Sequence, residues 1–197
     1  MATDLSTSPN TTTRDRILDA AAKVMREKGI ARATTKEIAA GAGYSEALLY
    51  KHFADKQEIY MGVLRERVGA YSNPMGLVGT ATVEHNLIAA TEQLMAFYVE
   101  SFPMSASIFS STDLLGTWRK GIAAHGGGPE TPLANLESYV SAEVAAGRLS
   151  AEVDPYAVAS SLCGAAFQHA FLACFNGLDA VPDSEGLAQR LVLSQRF

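Results

Sequence analysis

Residues 42–56 read AGYSEALLYKHFADK, and within this segment one predicted helix ends and another begins. Gly43 and the preceding Gly41 bracket a tight turn, because glycine adopts left-handed backbone conformations at little steric cost. Ser45 then fits the N-cap of a new helix, since its side chain can accept a hydrogen bond from a free backbone N–H. This helix, about 46–52, has only two turns and is too short to be stable alone. Neighbouring helices must therefore support it.

Helical spacing of apolar residues continues on both sides of this segment. Before it, the spacing predicts a first helix over about 14–28, which Gly29 is placed to end, and a short second helix over about 35–40. After it, Asp55 and Glu58 predict the start of a fourth helix, which we expect to continue to about 72 as a connector. The first and second helices have similar start signals. These are the pairs Thr12 with Asp15 and Thr34 with Glu37.

A helix, a glycine-containing turn and a short second helix together form the pattern of a helix-turn-helix. On a helical wheel Leu49 and Phe53 share one face of the short helix, which we expect to pack on the first two helices. The opposite face would then be free to enter a DNA major groove, which is about 12 Å wide. The residues of that free face are Ala47, Leu48, Tyr50 and Lys51.

Charge is distributed unevenly along the chain. The formal net charge is −5, yet residues 14–56 carry nine Lys and Arg against six Asp and Glu. Residues 71–197 carry five Lys and Arg against twelve Asp and Glu. This asymmetry is typical of a protein that contacts a polyanion with one end only, and chance scatter of surface charge is the alternative.

The remainder of the chain is also predicted to be helical, with the segment 105–124 the least regular. Thr131-Pro132 and Asp154-Pro155 each combine an N-cap with a proline of the first turn, and Pro103 is expected to end or kink the helix before it. The predicted helices cover about 82–102, 133–146, 156–176 and 184–195.

These elements predict an all-α fold with a small N-terminal domain and a larger C-terminal one. We expect the N-terminal domain to be a three-helix helix-turn-helix domain that binds DNA, and the C-terminal domain to be a helical domain that serves ligand binding and dimerisation. The predicted boundaries are a disordered tail over 1–12, the DNA-binding domain over 13–60 and the C-terminal domain over 73–197.

Two longer segments resemble the DNA-binding domain of the TetR family of transcriptional regulators. They are RDRILDAAAKVMREKGI, residues 14–30, and TTKEIAAGAGYSEALLYKHFADKQEIY, residues 34–60. Further along, AAGRLSAEVDPYAVASSLCGAA, residues 145–166, is similar to the segment before the long dimerisation helix of that family. The resemblance implies a homodimer that binds a palindromic operator in double-stranded DNA, blocks transcription, and is released when an effector in the C-terminal domain moves the two recognition helices apart.

The resemblance also implies contacts with DNA for ten residues. Tyr50 matches a contact with the phosphate backbone, and Thr35, Ser45 and Lys56 are candidates for the same role. Lys36 lies early in the second helix, where family members often reach a base. The other candidates lie on or beside the face that meets the bases. They are Glu46, Ala47, Leu48, Lys51 and His52.

Two positions depart from the family pattern. Ala47 and Leu48 replace a pair that is often Gly-Thr, which removes a hydroxyl contact with phosphate but leaves apolar groups that could meet a thymine methyl. Glu46 is an acid near DNA. It could accept a hydrogen bond from a cytosine amino group, or it could be only a favourable charge in the first turn of a helix, and both alternatives stay open.

The predicted helix over 156–176 is apolar nearly all round, which favours burial on two sides. One side would face its own core and the other a partner chain in a four-helix bundle, while the alternative is a central core helix of a monomer. The candidate interface residues are Phe167, Phe171, Cys174, Leu187 and Leu191.

Aromatic residues and methionines of the C-terminal domain suit a pocket for a small, mostly apolar effector, although such residues are more often plain core. Gln168 is polar within an apolar helix and needs a partner there. The candidate pocket residues are Met95, Tyr98, Phe102, Met104, Phe109, Trp118, Tyr139 and Gln168.

Other functional classes have weaker support in the sequence. Neither a metal site nor a cofactor motif nor a nucleophile–base pair is apparent, which argues against an all-α enzyme. The uncharged stretch 155–178 is long enough to span a bilayer, but its polar residues favour a buried helix, and the start shows no secretory signal, so we expect a cytoplasmic protein. A regulator controlled by its concentration or by a partner protein, without a small-molecule effector, is the alternative within DNA binding.

Overall fold

The computed structural model describes residues 12–68 and 73–195, and no strand occurs among them. The all-α fold class predicted from the sequence is confirmed. The α-helices are α1 (Thr13–Arg32), α2 (Thr35–Ala42), α3 (Glu46–Leu49), α4 (Lys56–Glu66), α5 (Val83–Ala106), α6 (Thr112–Ala124), α7 (Thr131–Ala145), α8 (Pro155–Phe175) and α9 (Ser184–Leu193), with 3₁₀ turns over Pro74–Leu77 and Ser107–Ser110.

The first four helices begin at the side-chain caps that the sequence predicted. Each cap accepts a hydrogen bond from a backbone N–H three residues later, and in α1 and α2 the acidic partner returns a bond to the cap, which completes a capping box. The caps and donors are Thr12 and Asp15 at 3.1 Å, Thr34 and Glu37 at 3.2 Å, Ser45 and Leu48 at 3.3 Å, and Asp55 and Glu58 at 2.7 Å.

Two of these helices end differently from the prediction. Gly29 leaves the helical conformation, with φ +73°, where the first helix was expected to end, but a further helical turn follows the kink, with the Ala33 N–H bonded to the Gly29 carbonyl at 3.1 Å, and extends α1 to Arg32. α3 ends at Leu49 and not at His52, and residues 50–52 continue as hydrogen-bonded turns. The recognition segment is therefore even more dependent on its neighbours than the sequence implied.

The predicted connector after α4 is shorter than expected. α4 ends at Glu66, because Arg67 leaves the helical conformation and its guanidinium bonds to Asp15 and Asp19 of α1 at 2.7 and 2.6 Å. Residues 69–72 of the predicted connector lie outside the described residues, and so does the predicted tail except for its last residue, the N-cap Thr12.

Among the C-terminal helices, the cap at Asp154 is confirmed and the roles of two other residues are corrected. Pro103 lies within α5 and does not end it, and the Val99 carbonyl, which the proline leaves without its helical donor, accepts from the Cys174 thiol at 3.5 Å. Thr131 is the first helical residue of α7 and not its cap, and its hydroxyl accepts from the N–H of Gly128 at 3.2 Å.

Two hydrophobic cores divide the molecule, and their boundary crosses α5. The first core joins α1–α4 with Met104, Ile108 and Trp118, which come from the end of α5, the 3₁₀ turn after it and α6. The second core joins the first part of α5 with α7, α8 and α9. The N-terminal core therefore includes side chains from beyond residue 73, where the sequence placed the start of the C-terminal domain.

One charged side chain is fully buried in the second core. Glu143 of α7 has 0% exposure and forms an ion pair with Arg148 at 3.3 Å. The Glu143 carboxylate also accepts from the N–H of Gly79 at 3.3 Å, and the Arg148 guanidinium donates to the carbonyls of Thr80, at 2.8 Å, and Ala81. The pair thus fastens the segment before α5 to the end of α7.

Within the described residues, α8 is the helix that is long and apolar enough to cross a membrane by length and composition alone. In this structure it packs against α5 and α7 through small and aliphatic side chains, and its aromatic residues stay partly exposed. The core helix of a water-soluble protein has the same composition.

Candidate nucleic-acid interface

The short helix α3 is held by two buried side chains and exposes its outer face. Leu49 and Phe53 are almost completely buried in the first core, as the helical wheel predicted. Ala47, Lys51 and the other residues of the outer face are exposed, with Leu48 half-buried and Tyr50 51% exposed. Because α3 has only one turn of α-helix, this burial is what keeps the outer face in place.

Three of the predicted DNA contacts are joined in a chain of hydrogen bonds. The Thr35 hydroxyl donates to the Glu46 carboxylate at 2.6 Å, and the Tyr50 hydroxyl donates to the Thr35 oxygen at 3.3 Å. Thr35 is the first helical residue of α2 and Glu46 the first of α3. The chain therefore links the starts of the two helices of the helix-turn-helix, an arrangement that helical periodicity could not reveal.

Basic side chains beside this chain are available to a ligand. Lys36 and Lys51 are exposed and form no ion pair with any described residue, and His52 is exposed next to them. Lys28, by contrast, pairs with Glu37 at 2.6 Å, and this bond together with those from Thr34 lowers the pKa of Glu37 to about 2. Two positive charges without an ion-pair partner among the described residues thus lie next to α3.

Lys56 takes a different position from the one expected of a phosphate contact. Its ammonium group donates to the carbonyl of Ala31 at 3.4 Å and lies 5.6 Å from the centre of the Trp118 ring. Burial lowers the pKa of Lys56. In this structure the side chain therefore bridges α4, the end of α1 and α6, and a contact with DNA would require it to turn outward.

Several contacts connect the N-terminal helices to the C-terminal ones, and three of them lie at the ends or the bend of α1, α4 and α6 or join α1 to α5. The His125 ring at the end of α6 lies 3.0 Å from the carboxylate of Asp55, the N-cap of α4. The Ser107 hydroxyl accepts from the N–H of Ala31 at 3.0 Å, next to the bend of α1. Arg26 of α1 forms an ion pair with Glu100 of α5. Any movement of α1 or α4 relative to α5 and α6 must change these contacts.

A cavity of about 610 Å³ lies where α1, α5, the end of α8 and the start of α9 meet. Its apolar lining includes Met95 and Met104, two of the residues predicted for a pocket. Its charged lining comprises Arg26, Glu92, Glu100 and Asp179, which the sequence interpretation missed. One face of α5 carries, every four residues, Glu92, Ala96 and Glu100. This spacing is the sequence signal that could have indicated the charged part of the lining.

The other six predicted pocket residues do not line this cavity. Trp118 is buried against Tyr60 in the first core, and Tyr139 is buried in the second core, where its hydroxyl accepts from the Asn86 amide at 3.0 Å. Phe109 and Gln168 are exposed. The remaining two, Tyr98 and Phe102, pack against Phe167 of α8 with ring centres 5.4 and 5.6 Å apart.

The comparisons with known proteins agree with this geometry. Residues 17–62 match the family model described as bacterial regulatory proteins, tetR family. A putative TetR-family regulator of Mesorhizobium loti has the same fold, with a TM-score of 0.68, 24% identity, and 95% of this chain and 96% of that chain covered.

Residues 17–62 of this chain therefore match the TetR family of regulators, and the chain shares its fold with a solved structure named for that family. The members of the matched family are transcription regulators, which are not enzymes.

Two curated relatives match shorter parts of the chain. The nucleoid occlusion factor SlmA of Shewanella denitrificans is 27% identical over 113 residues, which are 57% of each chain. The transcriptional repressor Rv1474c of Mycobacterium tuberculosis is 31% identical over 83 residues, 41% of this chain and 43% of the relative. The matched regions thus span about half of these relatives.

One surface of the TetR-like C-terminal domain is both apolar and exposed. Phe167 and Phe171, both predicted at a dimer interface, are 42% and 41% exposed on α8, and Phe175 beyond them is 79% exposed. Phe171 and Phe175 stack with ring centres 6.2 Å apart. We call Phe167, Phe171, Leu172 and Phe175 the α8 aromatic face.

The other three predicted interface residues are less exposed than these phenylalanines. Cys174 lines the cavity and donates to the carbonyl of Val99, so its side chain points toward α5 and away from the α8 aromatic face. Leu187 and Leu191 of α9 are half-buried against the second core. On α9 the exposed apolar side chain is Leu193. The α8 aromatic face is therefore a better candidate interface than the set chosen from the sequence.

Proposed function

We propose that this chain is a TetR-family repressor that binds a palindromic operator as a homodimer and leaves it when a small molecule binds the C-terminal domain. The observation that carries the proposal is the exposed outer face of α3, which is supported by the buried Leu49 and flanked by the unpaired Lys36 and Lys51. An exposed short helix of this kind fits a major groove.

Within this proposal the contacting residues have two kinds of role. Lys36 and Lys51, with Ala47, Leu48 and His52 beside them, face the base edges. Tyr50, Thr35 and Ser45 contact the phosphate backbone, and Lys56 joins them after leaving the Ala31 carbonyl. Phosphate contacts position a protein on the duplex, whereas contacts with base edges supply the sequence preference.

A dimer is required because a single α3 makes few contacts. Two copies related by a two-fold axis contact half-sites about 34 Å apart or a multiple of that distance. The α8 aromatic face supplies the apolar surface for such a symmetric contact, since an exposed cluster of four large apolar side chains is unusual for a monomer. A cytoplasmic location follows from the role, because the operator lies there.

The cavity beside α1 is the proposed effector site. Its volume of about 610 Å³ lies within the range that holds drug-sized ligands. Apolar side chains such as Met95, Met104 and Val181 form part of its lining, and carboxylates outnumber cations around it. A ligand with an apolar body and a positively charged group fits this lining better than a neutral or anionic one.

The Arg26–Glu100 ion pair connects this cavity to the DNA-binding helices. A cation bound near Glu100 competes with Arg26 for the carboxylate and so weakens the attachment of α1 to α5. The ligand shifts the protein toward release only if it binds the released conformation more tightly than the DNA-bound one.

Selection of bound duplexes from a random pool tests the DNA part of the proposal. We expect recovery of an inverted repeat, with binding that weakens steeply as salt increases. Recovery of no enriched duplex at low ionic strength would contradict a role in DNA binding.

Sedimentation tests the dimer. Phe171→Glu places a charge on the α8 aromatic face and is expected to give monomers, whereas Phe109→Glu, at an aromatic that is 68% exposed outside this face, is the matched control. A Phe171→Glu protein that sediments as the wild type does would show that another surface holds the dimer.

Tetraphenylphosphonium and tetraphenylborate, which have the same shape and opposite charges, test the effector site. We expect the cation to raise the melting temperature and to weaken duplex binding, and Glu92→Gln to reduce both effects. Equal responses to the two ions would contradict the proposed cationic ligand class, and no response to either would favour control by concentration or by a partner protein.

A further inference from the structure

The hydroxyl groups that are proposed to contact phosphate are already engaged in this structure. Thr35 has one hydroxyl proton, and it is donated to Glu46 at 2.6 Å. The Tyr50 proton is directed at the Thr35 oxygen at 3.3 Å. A phosphate oxygen that approached Thr35 would therefore find no free proton there.

The Glu46 carboxylate also occupies the place where a phosphate would bind. A phosphate oxygen bonded to Thr35 would have to lie about 2.7 Å from the same hydroxyl oxygen that Glu46 now contacts. Two anions at such close quarters repel each other. The carboxylate and the phosphate are therefore alternative partners of Thr35.

We propose that Glu46 is a specificity-determining residue that withholds the Thr35 hydroxyl from the DNA backbone until a base draws its carboxylate away. The proposal rests on the proposed DNA-binding function. Glu46 is exposed at the start of α3, within the surface that enters the groove. A cytosine amino group in the major groove is a donor that suits a carboxylate.

This arrangement makes base recognition and backbone contact depend on each other. On a random duplex Glu46 keeps the Thr35 proton, so the backbone contact is lost and the carboxylate repels the phosphate. On a duplex that offers a cytosine amino group at the right position, Glu46 bonds to the base, and Thr35 donates to the phosphate. The residue thus lowers affinity for the wrong sequences more than for the right one.

Replacement of the charge tests the proposal. Glu46→Gln keeps the size of the side chain, and we expect it to bind a random duplex about three- to tenfold more tightly than the wild type. We also expect the ratio of affinities for the selected and random duplexes to fall by about tenfold. Glu27→Gln, at an exposed position of α1, removes the same charge elsewhere and is the matched control.

A double-mutant cycle with Thr35→Val distinguishes two explanations for tighter binding by Glu46→Gln. Either the Thr35 hydroxyl becomes available to phosphate, or the loss of a negative charge weakens the general repulsion from DNA. If Glu46 acts through Thr35, the gain from Glu46→Gln on the random duplex shrinks when Thr35 is already valine. An unchanged melting temperature in all variants is expected, because these side chains are not in the cores. A loss of affinity that follows a lower melting temperature would mean a merely structural role.

The outcomes distinguish this inference from the proposed function. If the wild type binds duplexes and Glu46→Gln behaves like Glu27→Gln, the role of Glu46 is wrong and DNA binding stands. If neither the wild type nor any variant binds a duplex at low salt, both are wrong.

Discussion

The helices α1–α4 and the helices α5–α9 are held together in different ways. Polar side-chain caps begin helices in both groups, but in the first group surface ion pairs such as Arg14–Glu66, at 2.6 Å, tie the helices to one another. The second group depends on α8, a helix with apolar residues on all sides, which α5 and α7 bury only in part. The first group therefore presents oriented polar groups to a ligand, and the second leaves apolar surface for a partner.

Truncation of Leu49 should lower the free energy of unfolding the most, because this side chain is fully buried. The variant tests whether α3 depends on burial as well as on its cap. Leu49→Ala removes a fully buried side chain and should lower the free energy of unfolding by about 3 kcal/mol. Leu193→Ala, at an exposed leucine of α9, should change it by less than about 0.5 kcal/mol. Urea unfolding measures both. A loss below about 1 kcal/mol for Leu49→Ala would mean that α3 needs little support from the core.

Removal of Arg148 tests the buried charge that sets the C-terminal helices apart. Arg148→Met leaves the fully buried Glu143 with uncharged donors alone, the Gly79 N–H and the Tyr139 hydroxyl, and should cost about 2–3 kcal/mol by the same measurement. The exposed pair Arg190–Asp183 is the control, and Arg190→Met should cost less than about 0.5 kcal/mol. Equal losses would show that burial does not distinguish the two pairs.

The stability losses of two threonine variants distinguish a helix cap, Thr34, from a residue that only resembles a cap in the sequence, Thr131. Thr34→Ala removes the cap of α2 and should cost about 1 kcal/mol. Thr131→Ala removes only the bond from Gly128 and should cost about half as much. Thermal unfolding of the two variants side by side measures the difference, and the reverse order would contradict the assigned start of α7.

The smallest effect concerns the capping boxes at low pH. The pKa of Glu37 is about 2 in the folded protein, below its usual value near 4.5, because Lys28 and Thr34 donate to the carboxylate. Its contribution to stability is therefore complete above pH 4.5 and is lost as the pH falls toward 2. Glu37→Gln should lower the melting temperature slightly at pH 6 and not at pH 2. A difference that does not change with pH would indicate that the charge of Glu37 has no part in it.

The features that sequence could predict are those that depend on residues a few positions apart. The caps at Thr12, Thr34, Ser45 and Asp55 each involve a partner three residues later, and all were predicted correctly. The outer face of α3 was also predicted. In a single helical turn, the buried Leu49 determines which of its neighbours point away from the core.

The features that sequence could not predict depend on which helix faces which. Because α8 is apolar on every side, its composition does not indicate whether Phe102 of α5 meets it or lines a cavity. The inward direction of Cys174 follows from Pro103, which frees the Val99 carbonyl on a different helix. The bond between Thr35 and Glu46 joins two helices across a turn, and no periodicity within one helix records it.

The bend at Gly29 has a consequence for exchanging the N-terminal domain, α1–α4, between related proteins. A Cβ atom built on Gly29 would lie 2.7 Å from the Ser107 hydroxyl oxygen, so α1 fits against the end of α5 with no room for a side chain. Met104, Ile108 and Trp118 complete the same joint. A chimera spliced near residue 60 would separate the two halves of this joint. A graft that retains the native fit would have to include the end of α5, and also α6, together with α1–α4.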